Sequence, residues 1–281
     1  MERIIKIKEN DMKKSLLTKA LLTFSVIGTV FAFSNTVKAA DNYELVWSDE
    51  FNGNSLDTNT WNYEIGTGSW GWGNNEQQYY TDRNIRVSNG TMKITAKRED
   101  YGRMKYTSSR ITTKNKKNFK YGKIEARIKM PKFKGVWPAF WMLGANQDSV
   151  GWPKCGEIDI MEEVGVVPNE VSSSIHTQDY NHTIGTQKTH AMTIEQAEGE
   201  FHLYALEWTE DAITTYVDGK VQLAVTKQQL GAGHNQWPFH YAFYPILNLA
   251  WGGDWGGMNG VDESALPVTM KVDYVRVFQK K

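Results

Sequence analysis

The sequence predicts an all-β protein, built as a sandwich of short strands. Runs of five to nine residues alternate between apolar and polar side chains, which is typical of half-buried strands. Asn-Gly and Asp-Gly pairs separate some of these runs, as in tight hairpins. No stretch carries a long amphipathic helix pattern. With 281 residues and no recognisable linker or internal repeat, we predict one domain over residues 40–281.

The first half of the chain contains five strand regions. Asn89-Gly90 lies between two alternating runs and is a strong hairpin signal. The strictest alternation follows at 121–130, where one face should be core and the other wet. The predicted regions are 44–51, the hairpin 84–96, 108–112, 121–130 and 137–144.

The second half continues in the same way. A second hairpin turns at Asp218-Gly219, and the continuous apolar run 241–251 predicts a fully buried strand. The predicted strands are 157–163, 171–177, 201–208, the hairpin 212–225, 241–251 and 270–278, with a turn of helix expected at 187–196 and at 228–231.

Composition excludes some partners and suggests another. Lys+Arg and Asp+Glu are both 32, so no charge excess indicates nucleic acid or a membrane surface. The chain has 11 Trp, 13 Tyr and 11 Phe, and Trp rings are natural platforms for sugars. Glycine and tryptophan alternate over 66–76, which we interpret as a binding loop. The single cysteine, Cys155, is expected to be packed and inert.

The N-terminus resembles an export signal. Met12-Lys13-Lys14 precedes an apolar run over 16–33, and Val37-Lys38-Ala39 offers small residues for cleavage. We expect residues 1–39 to be removed and the mature protein to be extracellular; a retained membrane anchor is the alternative. The start codon is Met1 or Met12.

The stretch 156–163 carries the most chemistry. In a strand, Glu157 and Asp159 share one face, while Ile158 and Ile160 share the other. Glu162 breaks the alternation, because Met161 occupies the position where a third acid would fall. One extra residue, a β-bulge, would return Glu162 to the acidic face.

Three acids on one face fit two kinds of site. A retaining glycosidase needs a nucleophilic carboxylate and a carboxylic acid about 5–5.5 Å apart. A central acid would raise the pKa of its neighbours by charge repulsion. A divalent cation site is the alternative, because carboxylate oxygens suit Ca²⁺ or Mg²⁺. No Asp/Asn-rich calcium loop surrounds these acids, which favours the hydrolase.

The motif E-x-D-x-x-E at 157–162 resembles the signature of glycoside hydrolase family 16, in its bulged, laminarinase-like form. The resemblance extends through nearly the whole chain after residue 40. The matching segments are Trp47-Ser48-Asp49-Glu50-Phe51, 74–80, 137–144, 248–250 and 273–277.

The resemblance implies a concanavalin A-like β-jelly-roll with a substrate cleft across its concave sheet. Glu157 would be the nucleophile, Glu162 the acid and base, and Asp159 the group that tunes them. No cofactor would take part in the chemistry. The implied substrate-binding residues are Trp137, Trp141, Trp152, Asn74, Arg110 and His176, and a structural calcium ion would be held by Glu50, the Gly90 carbonyl and Asp273.

We therefore predict a secreted, monomeric endo-β-1,3-glucanase that acts on β-glucan, with mixed β-1,3/1,4-glucan as a further substrate. Lichenase- or agarase-like specificity is the alternative on the same scaffold. A non-catalytic β-glucan-binding protein is the alternative from another class. Segment 176–188 departs from the common laminarinase pattern and leaves the linkage preference open.

Overall fold

The computed structural model describes residues 42–281, which form two stacked, largely antiparallel sheets. This confirms the predicted all-β jelly-roll sandwich. The strands are β1 Tyr43–Asp49, β2 Asn62–Glu64, β3 Gln78–Tyr80, β4 Ile85–Ser88, β5 Thr91–Tyr101, β6 Met104–Ser108, β7 Arg110–Thr112, β8 Gly122–Lys129, β9 Val136–Gly144, β10 Glu157–Glu163, β11 Glu170–His176, β12 Lys188–Thr193, β13 Phe201–Trp208, β14 Ala212–Val217, β15 Lys220–Thr226, β16 Phe243–Trp251 and β17 Val268–Lys280.

The seven-stranded sheet has the order β12-β11-β10-β9-β16-β7-β2 and carries the acidic strand β10 near one end. The ten-stranded sheet follows β15-β14-β13-β8-β17-β5-β6-β3, with β1 added on β17 and β4 on β5. Among residues 42–281, helices are confined to single turns, at α1 Gln147–Val150, α2 Lys227–Leu230 and α3 Gly253–Gly256, with 3₁₀ turns at His182–Ile184 and Glu263–Ala265 and a π-type turn at Gly71–Asn75.

The core lies between the sheets and leaves the other face of β10 for function. Ile158, Ile160 and Met161 are fully buried in one hydrophobic cluster with Ile124 and Ile128 of β8. Burying one such side chain contributes about 1.5–3 kcal/mol, so the register of β10 is strongly specified. The acids are thereby turned away from the core.

The expected helix turn at 187–196 was wrong, because residues 188–193 form β12. This segment pairs with β11 from Ile175↔Lys188 to Glu170↔Thr193. Its polar side chains give no clear alternation, so backbone pairing, rather than local pattern, decides the structure. The expected turn near 228–231 is confirmed by α2, which begins at a Thr226–Gln229 capping box.

Three further strands were not predicted because they are short. β2, β3 and β6 have three to five residues each, too few to show a period. None of the helical turns between residues 42 and 281 has the length and hydrophobicity of a membrane-spanning segment. The predicted signal peptide lies outside the described residues, so it stays a prediction.

Candidate active site

A β-bulge on β10 aligns the three acids. Glu157, Asp159 and Glu162 lie opposite residues 143, 141 and 139 of β9, which step by two. On the other side they lie opposite residues 176, 174 and 172 of β11, again in steps of two. Ile160 and Met161 both point into the core at zero exposure, which absorbs the extra residue. All three acids therefore share the sheet face that points away from the core.

Two indoles hold the outer glutamates. Trp152 donates its Nε1–H to Glu157 Oε2 across 2.9 Å, and Trp137 donates to Glu162 Oε1 across 3.0 Å. Each ring is partly exposed, so an aromatic surface stands beside each carboxyl. Each hydrogen bond restricts the carboxyl rotamer and favours its ionised form.

Asp159 lies between the glutamates and is the most enclosed of the three, with 2 % exposure. Its Oδ2 is 3.1 Å from His176 Nε2, and the same nitrogen is 3.9 Å from Glu157 Oε1. His176 therefore bridges two of the acids from β11, directly opposite Glu157 in the sheet register.

Burial sets the protonation of this cluster. Desolvation raises the pKa of Glu162 and raises that of Asp159 well above its usual range, where the charge of Glu162 adds to it. Burial and then Asp159 raise the pKa of Glu157 to about 8, while His176 and the Trp152 N–H oppose the rise. A proton on Asp159 would remove its repulsion and let it donate to Glu157. Both effects lower the pKa of Glu157 from this value, so the arrangement supports an acid at Glu162 beside a Glu157 that ionises to act as nucleophile.

The remaining predicted binding residues lie along the same face. Trp141 is opposite Asp159, and its Nε1–H donates to Asn248 Oδ1 across 2.7 Å. Arg110 is sandwiched between Trp72 and Trp141, with its guanidinium carbon 4.6 and 4.7 Å from the ring centroids. It also pairs with Glu64. The ion pair and the aromatic stacking of Arg110 therefore occur together.

Asn74 lies in the tight loop Gly71–Asn75 and contacts a buried polar network. Its Nδ2 is 3.4 Å from Glu76 Oε1. Glu76 Oε2 accepts from Gln78 Nε2 at 2.7 Å and from the Tyr80 hydroxyl at 2.9 Å. Burial raises the pKa of Glu76, and its charge contributes to the raised pKa of Glu162.

Glu76, Asn248 and His182 are site residues that sequence reasoning missed. Glu76 lies in one of the segments that resemble the family, but as a single acid in a loop it has no periodicity to expose it. His182 lies in the divergent segment 176–188, with its ring 5.1 Å from Trp152 and 5.2 Å from His176. Burial, and next His176, lower the pKa of His182, which favours a neutral imidazole in the cleft.

One group in the described part of the chain could hold a metal, and it overlaps the acidic strand. Ligand atoms of Glu157, Asp159 and His176 lie within 4.8 Å of one another. Cation binding needs ionised carboxylates. Burial raises the pKa of Asp159 well above its usual range, so this carboxyl instead favours retention of its proton. With Asp159 protonated, this cluster fits acid–base chemistry better than a metal centre.

The residues expected to hold calcium are engaged elsewhere. Glu50 uses both carboxylate oxygens on Arg276, at 2.9 and 2.8 Å, and Asp273 pairs with Arg127 at 2.8 Å. Gly90 lies at the β4–β5 turn with φ 66°, so glycine suits that conformation. Because arginines already neutralise both carboxylates, the donor set as placed fits a dication poorly, and calcium binding stays a prediction.

Cys155 is fully buried, as expected of an inert thiol. Burial, with Glu157 nearby, raises the pKa of its thiol to about 12. The thiolate needed for nucleophilic chemistry is therefore scarce at neutral pH.

Comparison with known proteins identifies the family. A family model described as glycosyl hydrolases family 16 matches residues 72–276. The chain is 42 % identical over 277 residues to a β-glucanase of Rhodothermus marinus, covering 95 % of this chain and 96 % of that protein.

Solved structures agree with this assignment. A laminarinase from Flavobacterium sp. UMI-01 is 46 % identical with a TM-score of 0.79, covering 84 % of this chain and 100 % of that one. SCLam, described as a non-specific endo-β-1,3(4)-glucanase, is 43 % identical with a TM-score of 0.80, covering 85 % and 92 %. The chain belongs to glycoside hydrolase family 16.

Proposed function

We propose that this protein is an endo-β-1,3-glucanase that cleaves laminarin-type β-glucan with retention of anomeric configuration, and that it also accepts mixed β-1,3/1,4-glucan. The carrying observation is the bulge on β10, which presents Glu157, Asp159 and Glu162 on one face beside two indoles. Similar proteins named laminarinase and β-glucanase support the substrate class.

In the proposed first step, a Glu157 carboxylate oxygen attacks the anomeric carbon. The glycosidic C–O bond breaks as Glu162 delivers its proton to the leaving oxygen, which leaves a glycosyl ester on Glu157. Glu162 is suited to this role because burial raises its pKa and keeps the proton on it at rest.

In the second step, Glu162 as carboxylate takes a proton from water. The water oxygen bonds to the anomeric carbon and the ester bond to Glu157 breaks, which returns both glutamates to their starting states. Asp159, between them, donates a hydrogen bond to Glu157 when it holds its own proton. His176, 3.1 Å from Asp159, positions that carboxyl.

Mixed-linkage activity is the second candidate, and the likeness to a non-specific endo-β-1,3(4)-glucanase favours it. A non-catalytic glucan-binding role is disfavoured because Glu157 and Glu162 are both present and held in place. The sequence pattern at 1–39 supports export, and we propose an extracellular monomer.

Reducing-end release from laminarin, lichenan, agarose and carboxymethylcellulose tests the proposal. We expect the highest rate on laminarin, a lower one on lichenan and none on the other two. Glu157→Gln should abolish release while laminarin binding persists. Normal hydrolysis by Glu157→Gln would refute the nucleophile, and binding without cleavage by the native protein would establish a binding module. If NMR showed that the first product has the inverted anomeric configuration, the retaining mechanism would be refuted.

A further inference from the structure

The side chain of Trp70 is 86 % exposed, which makes it the most exposed large apolar side chain among residues 42–281. Its backbone has φ 54° and ψ 45°, in the left-handed region. This conformation costs a non-glycine residue about 1–2 kcal/mol. The folded chain therefore places a large indole in water, at a strained position, without gaining packing from it.

The backbone around Trp70 is well defined. Trp70, Gly71, Trp72 and Gly73 follow one another with positive φ. The turn is closed by hydrogen bonds from Asn75 N to the Trp70 carbonyl at 3.0 Å and from Glu76 N to the Gly71 carbonyl at 3.1 Å. The Asn75 side chain is anchored to Asp254 at 3.0 and 3.1 Å. The loop thus holds the backbone of Trp70 in a defined place.

A row of stacked side chains connects this loop to the catalytic strand. Trp141 lies opposite Asp159, Arg110 covers Trp141, and Trp72 covers Arg110. In the sheet, β7, which carries Arg110, lies three strands from β10, or about 14 Å at ~4.8 Å per strand. Trp70 lies two residues before Trp72, in the loop that carries the outer end of this row.

We infer that Trp70 is an outer sugar-stacking platform, which binds the apolar face of a glucosyl unit several units away from the scissile bond. The inference rests on the proposed glucanase function and adds to it a preference for longer chains. A sugar ring stacked on the indole would remove its apolar surface from water, and no packing within the protein otherwise offsets that exposure. The ligand is an extended β-glucan chain rather than a short oligosaccharide.

Trp70→Ala tests the inference with laminari-oligosaccharides of three and six units. We expect kcat/KM on the hexasaccharide to fall about tenfold, equivalent to ~1.4 kcal/mol, mainly through KM. The fall on the trisaccharide should be much smaller, and Trp70→Phe should recover most of the loss. Affinity is measured separately in the Glu157→Gln background, where no cleavage occurs.

Two controls separate binding from folding. Trp70→Gly relieves the positive φ, so its melting temperature should not fall while the hexasaccharide defect persists. Leu45→Ala removes another exposed apolar side chain, which is 49 % exposed on β1 of the other sheet. This variant should leave kcat/KM unchanged on both oligosaccharides. Equal losses on both oligosaccharides, or no loss on the hexasaccharide, would overturn the platform. If the native protein still cleaves laminarin in that case, the proposed function stands.

Discussion

Trp152→Phe tests which glutamate is the nucleophile. The variant keeps an aromatic ring but removes the Nε1–H that donates to Glu157 Oε2 across 2.9 Å. That N–H favours the ionised carboxylate, and a hydrogen bond to a charged group contributes about 1.5–3 kcal/mol. At about 1.36 kcal/mol per pKa unit, its loss should raise the pKa of Glu157 by about 1–2 units.

The assay is kcat/KM on soluble laminarin as a function of pH. A nucleophile must be ionised, so activity falls on the acidic side as Glu157 takes up a proton. We therefore expect Trp152→Phe to move the acidic limb about 1–2 pH units higher and to leave the alkaline limb in place.

Trp137→Phe is the matched control, because it removes the corresponding N–H from Glu162. That N–H lowers the pKa of Glu162, so its loss keeps Glu162 protonated to higher pH. The alkaline limb should then move up while the acidic limb stays. If Trp152→Phe moved the alkaline limb and Trp137→Phe the acidic one, the catalytic roles of the two glutamates would be reversed. If neither limb moved in either variant, the claim that the indoles tune the pKa values of the glutamates would be refuted.

Three further outcomes are expected. Asp159→Asn should keep about tenfold more activity than Asp159→Ala, because the amide replaces the hydrogen-bond donor of the protonated acid; equal rates would contradict a neutral Asp159. Burial and Glu198 raise the pKa of Glu163 from 4.5 to about 9. The contribution of Glu163 to the free energy of unfolding is therefore complete below pH 4.5 and declines as the pH rises to 9. This decline in the free energy of unfolding reaches about 6 kcal/mol at most. Glu163→Gln cannot ionise and should flatten the fall of melting temperature between neutral and alkaline pH, whereas parallel curves would contradict this account. If calcium binds near Gly90, EDTA should lower the melting temperature without abolishing activity in the cold; an unchanged melting temperature would count against that site, and lost activity would indicate a catalytic metal.

The fold was largely predictable from local pattern. Residues 122–129, with Glu125 as the exception, and 212–217 alternate between buried and more exposed positions, because one face of each strand lies on the core; period two records that difference directly. The returning strand β15 does not alternate, and its register against β14 is irregular. The short strands β2, β3 and β12 could not be predicted this way. Their hydrogen bonds come from neighbours that the chain reaches only after folding, as in the pairing of β12 with β11.

The acidic strand shows how far a sequence pattern extends into a site. The misfit of Met161 predicted a bulge, and the structure has one, with β10 shifted between Asp159 and Met161 against β9. The pattern did not show what surrounds the acids. Glu76, Asn248 and His182 reach the site from a loop, from β16 and from a 3₁₀ turn, and no spacing links them to residues 157–162.

Local sequence was enough to predict the strand faces, the bulge and the three acids, because these depend on neighbours a few residues apart. Which indole holds which glutamate depends on the folded structure, which also brings His176 against Asp159. The protonation of the cluster likewise depends on the whole fold, because desolvation by burial is the largest cause of the raised pKa values of Glu157, Asp159 and Glu162.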